Sequence, residues 1–153
     1  MADVLVKLYS LKEVPQEIGG VEIRRPLPHE KGILKGWVAE NFFPEWAEEF
    51  ETTFKSFPVT AFTALREGMP VGFACYEATS RGFFGPTAVL PEERGKGIGK
   101  QLLIRSMYGL RELGYAYGII GGAGPVDFYV KTLGGFLIPG SEQGIYPARK
   151  IRT

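Results

Sequence analysis

Apolar positions change their spacing several times along this chain, and each change marks an element. "VLVKLY" (4–9) is an apolar run that predicts a short strand, and "VEIRRPLP" (21–28) predicts a second, ended by its prolines. From 29 to 43 the period is helical, with Ile33, Leu34, Trp37, Val38 and Phe42 on one face. A break at 41–44 separates this from a second helix over 45–57. Its stripe is Trp46, Phe50, Phe54 and Phe57, and Glu45, Glu48 and Glu49 occupy the first turns, where the helix dipole favours them.

The period then falls to two. "VTAFTALREGMPVGFACYEAT" predicts two strands, about 59–66 and 70–78, joined by a turn at 67–69. "GFFGPTAV" (82–89) predicts a third, with Pro86 inside it. A proline cannot donate to a ladder, so a bulge or bend is expected there. Residues 97–113 form the strongest helical pattern, with Leu102, Leu103, Ser106, Met107, Leu110 and Leu113 on one face and Gly114 closing it. "YAYGIIGG" (115–122) is a strand after that helix, and a strand–helix–strand unit makes its two strands parallel. A short helix over 125–133 follows, then "GFLIP" and "GIYPARKIRT", as a closing hairpin or as two separate strands. The expected class is α/β (α+β), a mixed, largely antiparallel central sheet with helices on both faces.

Composition narrows the function classes. The chain has 153 residues, 44% hydrophobic and 23% charged, which suits one soluble domain over 1–153. A formal net charge of +1 gives no global electrostatic case for nucleic acid. One cysteine and one histidine leave no internal disulfide and no zinc cluster, and no metal is expected. No run reaches the roughly 18 apolar residues of a membrane span and no apolar leader opens the sequence, so the expectation is cytoplasmic, with no membrane partner.

"RGKGIGKQLL" (94–103) carries the densest chemistry. Gly95, Gly97 and Gly99 alternate with Arg94, Lys96, Ile98 and Lys100 where a strand hands over to a helix. Free amides at a helix N-terminus and the dipole behind them hold anions. Lys96 and Lys100 sit where that dipole disfavours cations, and a bound polyanion would reverse the sign. The turn is no Walker A loop, because Gln101 follows the lysine and Arg94 replaces the first glycine. It is no dinucleotide fingerprint either, because the spacing is G-x-G-x-G.

The spacing Arg94, Gly97, Gly99 within "AVLPEERGKGIGKQLL" (88–103) closely resembles the acetyl-CoA motif of the GNAT superfamily of N-acetyltransferases. The element order over about 20–140 and "DFYVKTLGGF" (127–136) are similar to the same family. That resemblance implies acetyl-CoA as cosubstrate, its pyrophosphate held by the amides from Gly95 to Lys100, with Arg94 bordering it and Lys96 or Lys100 within reach. It implies that the backbone of Ala88, Val89 and Leu90 pairs with the pantetheine arm, which needs the strand to splay from its parallel neighbour. Tyr129 matches the family's tyrosine that protonates the leaving thiolate. The resemblance further implies direct attack by an uncharged primary amine of a small molecule in a ternary complex. The chain departs from the pattern where many relatives carry an Asn and an Ala that contact CoA; here Gly122 and Val126 stand.

Several side chains keep two readings. Glu77 is a candidate general base or a solvated strand carboxylate. Glu45 is a candidate to attract an ammonium, at a corner that in this family lines the acceptor pocket, where Trp37, Phe42, Phe43 and Trp46 read mostly as core. Cys75 reads as core, His29 and Glu92 with Glu93 as surface, and Asp127 as a helix cap. The function expected is an N-acetyltransferase. The alternatives are a CoA-binding sensor or interaction module without turnover, and a protein or peptide N-acetyltransferase. The oligomeric state stays open, a homodimer included.

Overall fold

The computed structural model describes residues 1–146 and Ile151. Its strands are β1 (Val4–Lys7), β2 (Glu22–Arg24), β3 (Ala61–Arg66), β4 (Met69–Tyr76), β5 (Phe83–Val89), β6 (Tyr117–Ile120) and β7 (Phe136–Leu137). Its α-helices are α1 (Lys31–Asn41), α2 (Pro44–Thr52), α3 (Ile98–Glu112) and α4 (Val126–Leu133). The sheet order is β2-β3-β4-β5-β6-β1-β7. Every neighbouring pair is antiparallel except β5 with β6, the parallel pair on either side of α3. The expected mixed, largely antiparallel sheet is therefore present.

The β3–β4 hairpin closes with Arg66 opposite Met69. Its two central residues, Glu67 and Gly68, have φ of 51° and 77°. This doubly left-handed turn twists in the sense two adjacent strands need. It is one residue shorter than expected, so β4 starts at Met69.

Alternation on β4 divides the core between the two faces. Phe73 and Cys75 pack with Leu34, Val38, Ala47 and Phe50 of α1 and α2, while Ala74 and Tyr76 pack with Leu102, Leu103, Met107 and Leu110 of α3. Helices cover both faces, as expected. Val126, Tyr129 and Leu133 of α4 join the α3 cluster.

Several expectations need correction. The second helix ends at Thr52, with a single 3-10 turn over Thr53–Lys55, and Phe57 is 79% exposed. Phe57 precedes Pro58, and the residue before a proline is pushed out of the helical region. Ile33, Phe43 and Leu113 are exposed rather than buried; Phe43 lies in the break between α1 and α2, and Leu113 at the C-cap of α3. "GFLIP" forms β7, which pairs with β1. The other closing strand falls on "GIYPARKIRT", in which 147–150, 152 and 153 lie outside the described residues. Asp127 sits in the first turn of α4 and makes no side-chain cap bond. Among the described residues, no helix is long and apolar enough to cross a membrane.

The α3–sheet contact is closest at Gly109, where a Cβ would lie 2.5 Å from Tyr76 Cζ and 2.6 Å from its hydroxyl. Tyr76 cannot easily retreat. It stacks on Phe62, and its hydroxyl accepts a hydrogen bond from Arg25 Nη1, which also donates to the Val59 carbonyl. Gly109→Ala would gain about 1 kcal/mol of helix propensity but overpack this contact, at a cost of typically 1–3 kcal/mol or more. We expect a net loss of stability, read as a thermal midpoint lowered by several degrees.

Candidate functional site

β5 and β6 pair only at Phe83–Ile119 and Phe84–Ile120. β6 then ends, while β5 runs on through Gly85 and Pro86 to Val89 with β4 alone beside it. The ladder to β4 is also irregular between Ala74 and Tyr76. The bend expected at Pro86 is thus the point where the parallel strands part.

Leu90 donates its amide to the Val71 carbonyl, toward β4. Ala88, two residues back, faces β4 in the same sense, because hydrogen-bonding direction alternates along a strand. Val89, between them, turns its amide and carbonyl into the gap, where the carbonyl accepts Arg94 Nε at 3.1 Å. Of the three residues expected to offer backbone to a ligand, Val89 alone faces the gap, while Ala88 and Leu90 face β4.

The gap is a cleft of about 220 Å³ lined by Thr87, Ala88, Val89, Gly99, Phe128 and Tyr129 among others. A second hollow of about 260 Å³ continues along Gly95, Gly97, Ile98, Gly99 and Lys100, and Val89, Arg94, Gly99 and Phe128 line both. The candidate residues on β5, on the turn and on α4 are therefore brought to one continuous groove, apart from Lys96 and Leu90, which line neither hollow.

The turn is built from two left-handed glycines, Gly95 and Gly97, with φ of 79° and 87°. Gly99 has no such backbone; its bare α-carbon lies along the groove instead. The first amide of α3 with an intrahelical acceptor belongs to Gln101, donating to Gly97 at 3.1 Å. Among the described residues, the amides from Gly95 to Lys100 have no backbone acceptor. These are orphan donors at a helix N-terminus, suited to an anion.

The cations of the turn are less free than their spacing suggests. Lys96 contacts Glu93 Oε1 at 3.1 Å, and Lys100 reaches Glu13 at 3.4 Å. Glu93, expected at the surface, is buried and takes a two-pronged bond from Arg66 Nε and Nη2, both at 2.9 Å. The Arg66 guanidinium, with Lys96, pulls its carboxyl down to about 2 from an ordinary value near 4.3. Because the folded value is depressed, the bond stabilises the fold fully above the ordinary carboxylate range and is lost as pH falls toward 2. The stability gap between the wild-type protein and Glu93→Gln should therefore shrink between about pH 5 and pH 2 in urea melts. A gap of constant size over that range would refute the assignment.

Tyr129 projects from the first turn of α4, which ends at Gly134 in the left-handed conformation. Its ring is half-buried and meets Phe128 edge-on at 5.2 Å. Burial pushes the phenol above its ordinary value, and among the described residues its hydroxyl has no hydrogen-bond partner. At neutral pH it is a protonated phenol on a residue that lines the cleft.

A family model of the acetyltransferase (GNAT) family matches residues 32–134. The chain belongs to the GNAT acetyltransferase family. Solved structures share the fold. A GCN5-related N-acetyltransferase from Sphaerobacter thermophilus is 20% identical, with a TM-score of 0.72 over 90% of this chain and 48% of that one. A fungal GCN5-related glucosamine N-acetyltransferase region, within a multi-domain GH3 β-N-acetylglucosaminidase, is 18% identical at TM-score 0.72, over 90% and 19%. A GNAT family acetyltransferase from Brucella melitensis, in complex with acetyl-CoA, is 19% identical at TM-score 0.57, over 77% and 86%. The chain thus spans about half the length of the Sphaerobacter protein and about a fifth of the fungal one. No curated protein matches it by sequence.

Within this GNAT chain, Glu77 is not part of the groove. Its Oε1 accepts the Gly82 amide at 2.6 Å and its Oε2 the Tyr115 hydroxyl at 2.8 Å, tying the β4–β5 turn to the start of β6. It lines a separate surface cleft with Lys55, Arg81 and Tyr115. Cys75 is fully buried and its thiol is pushed well up by burial, so little thiolate forms. Glu45 is exposed. One turn further along α2, Glu49 lines a cavity of about 290 Å³ that also includes Asp3, Trp46, Thr79 and Tyr146. Phe84 lines both this cavity and the Tyr129 cleft. Sequence reasoning missed Glu49 because its partners come from three distant stretches. The only local signal was its place on the polar side of a helix bearing Trp46.

Proposed function

We propose that the chain transfers the acetyl group of acetyl-CoA to a primary amine of a small molecule. The observation that carries this reading is the run of amides from Gly95 to Lys100, without an acceptor among the described residues, opening into a cleft lined by Tyr129, whose hydroxyl has no hydrogen-bond partner among the described residues. The donor set suits the group. Orphan amides at a helix N-terminus suit a pyrophosphate, and an unpaired strand edge at Val89 suits an amide-bearing arm. The acetyl complex of the Brucella relative supports the same donor here.

When bound, acetyl-CoA supplies an activated acetyl thioester. The Gly95–Lys100 amides hold its diphosphate, with Arg94 at the border. The Val89 amide, facing the gap, is placed to donate to the thioester carbonyl oxygen as negative charge grows there. The ammonium must lose a proton to bulk water to expose the lone pair before the amine attacks. Tyr129, kept protonated by burial, gives its phenolic proton to the departing sulfur and is reprotonated by the proton that the new amide sheds. The balance is one amide formed, one thioester broken and one thiol released.

The test is thiol release from acetyl-CoA across a panel of amines, amino acids, amino sugars and peptides. Release with small amines, saturable in both substrates, is expected. Acetyl-CoA binding without release on any member would favour a sensor, and release on peptides alone would favour a protein acetyltransferase.

A further inference from the structure

The cavity beside α2 contains a charge arrangement that selects its occupant. Glu49 Oε1 accepts hydrogen bonds from Thr79 Oγ1 and, at 3.1 Å, from Tyr146 Oη, and the two hydroxyls lie 3.2 Å apart. Three separate segments thus fix one carboxylate: α2, the loop between β4 and β5, and the stretch after β7. Its other oxygen, Oε2, has no hydrogen-bond or ion-pair partner among the described residues. Asp3, 7% exposed, adds a second carboxylate to the wall and accepts the Gly122 amide at 2.9 Å. No lysine, arginine or histidine side chain among the described residues lines the cavity.

The rest of the wall is mostly apolar and aromatic, with Gln143 and several glycines among it. Trp46, Phe83, Phe84 and Pro86 lie around the carboxylates. At about 290 Å³ the cavity sits at the lower end of ligand pockets and holds a small body. Among the described residues the side chains of the wall carry two carboxylates and no cation, with Met1 also in the wall, and this side-chain charge draws cations and repels anions. An indole face adds attraction for an ammonium. Phe84 places this cavity next to the Tyr129 cleft, at the point where β5 and β6 part.

We propose that Glu49, held by Thr79 and Tyr146, binds the ammonium form of the acceptor, and that the acceptor is a small monoammonium compound with an apolar or aromatic body. The negative wall disfavours acceptors bearing a carboxylate or phosphate beside the amine. This inference rests on the acetyl-transfer reading for the role of the bound amine, but not for its binding.

The experiment uses calorimetric titration of the CoA-saturated protein with 2-phenylethylamine and with phenylalanine, which differ by one carboxylate. The expected result is that 2-phenylethylamine binds about tenfold tighter or more. Glu49→Gln should weaken it by about tenfold while leaving CoA affinity unchanged, and CoA affinity on the same samples reports folding. Thr79→Val should cause a smaller loss of the same kind. Equal binding of the two probes, no binding of either, or an unaltered Glu49→Gln titration would overturn the inference. Glu49-dependent binding with no thiol release would leave the inference standing and remove the proposed function. Thiol release with phenylalanine as good an acceptor as 2-phenylethylamine would do the reverse.

Discussion

Tyr129→Phe is expected to lower the turnover number for acetyl transfer by about 10²-fold, the low end of what a positioned acid contributes, and to leave acetyl-CoA affinity within about twofold. The phenol is the only group that changes; ring size and the edge-on contact with Phe128 are kept. A leaving thiol has an ordinary value near 8.5, so its thiolate departs without full assistance, which keeps the loss from being larger. The pH profile distinguishes this role from a structural one. A phenol raised by burial stays protonated through neutral pH, so the wild-type rate should fall only in strongly alkaline solution, whereas the phenylalanine variant should lose that limb. Turnover equal to wild type in steady-state thiol release would remove Tyr129 from the chemistry.

Gly97→Val is expected to weaken acetyl-CoA binding by about tenfold or more, because it would disturb the backbone that aims the turn's amides. Space is not the obstacle: a Cβ at Gly97 would meet only Ile18 Cδ1, at 3.9 Å. The obstacle is φ of 87°, which a β-branched residue adopts at a cost of about 1–3 kcal/mol. The turn would relieve that strain by rotating, and the N-terminal amides of α3 would turn with it. Gly97→Asn is the control, since asparagine tolerates the left-handed region. It should retain most of the affinity in the same titration. Equal weakening by Val and Asn would show that bulk, rather than backbone conformation, matters here.

Much of the frame was legible because its determinants are local. The β3–β4 hairpin, α3 and the left-handed glycines of the turn rest on period, turn residues and φ preferences within a few positions of each other. The parallel β5–β6 pair followed from connectivity, and Pro86 marked where it opens. The misplacements have the same origin. Phe57, Ile33 and Leu113 are apolar at helical spacing, yet only the packed neighbours decide whether an edge position is covered. Glu93 and Glu77 look alike in sequence, as carboxylates beside turns. One is buried against Arg66, 27 positions away, and the other holds Gly82 and Tyr115.

By itself the sequence determined the α/β frame, the glycine turn at 94–103 and the strand–turn–helix setting that marks the family, because each is written in residues close along the chain. The tertiary structure alone decided that the backbone amide and carbonyl of Val89, rather than those of Ala88 or Leu90, turn into the groove, that Glu77 stands outside it, and that Glu49, Thr79, Tyr146 and Asp3 share one cavity. Those relations join positions up to 119 residues apart, as Asp3 and Gly122 do. No local propensity encodes such a pairing; it exists only once the sheet order has brought the segments together.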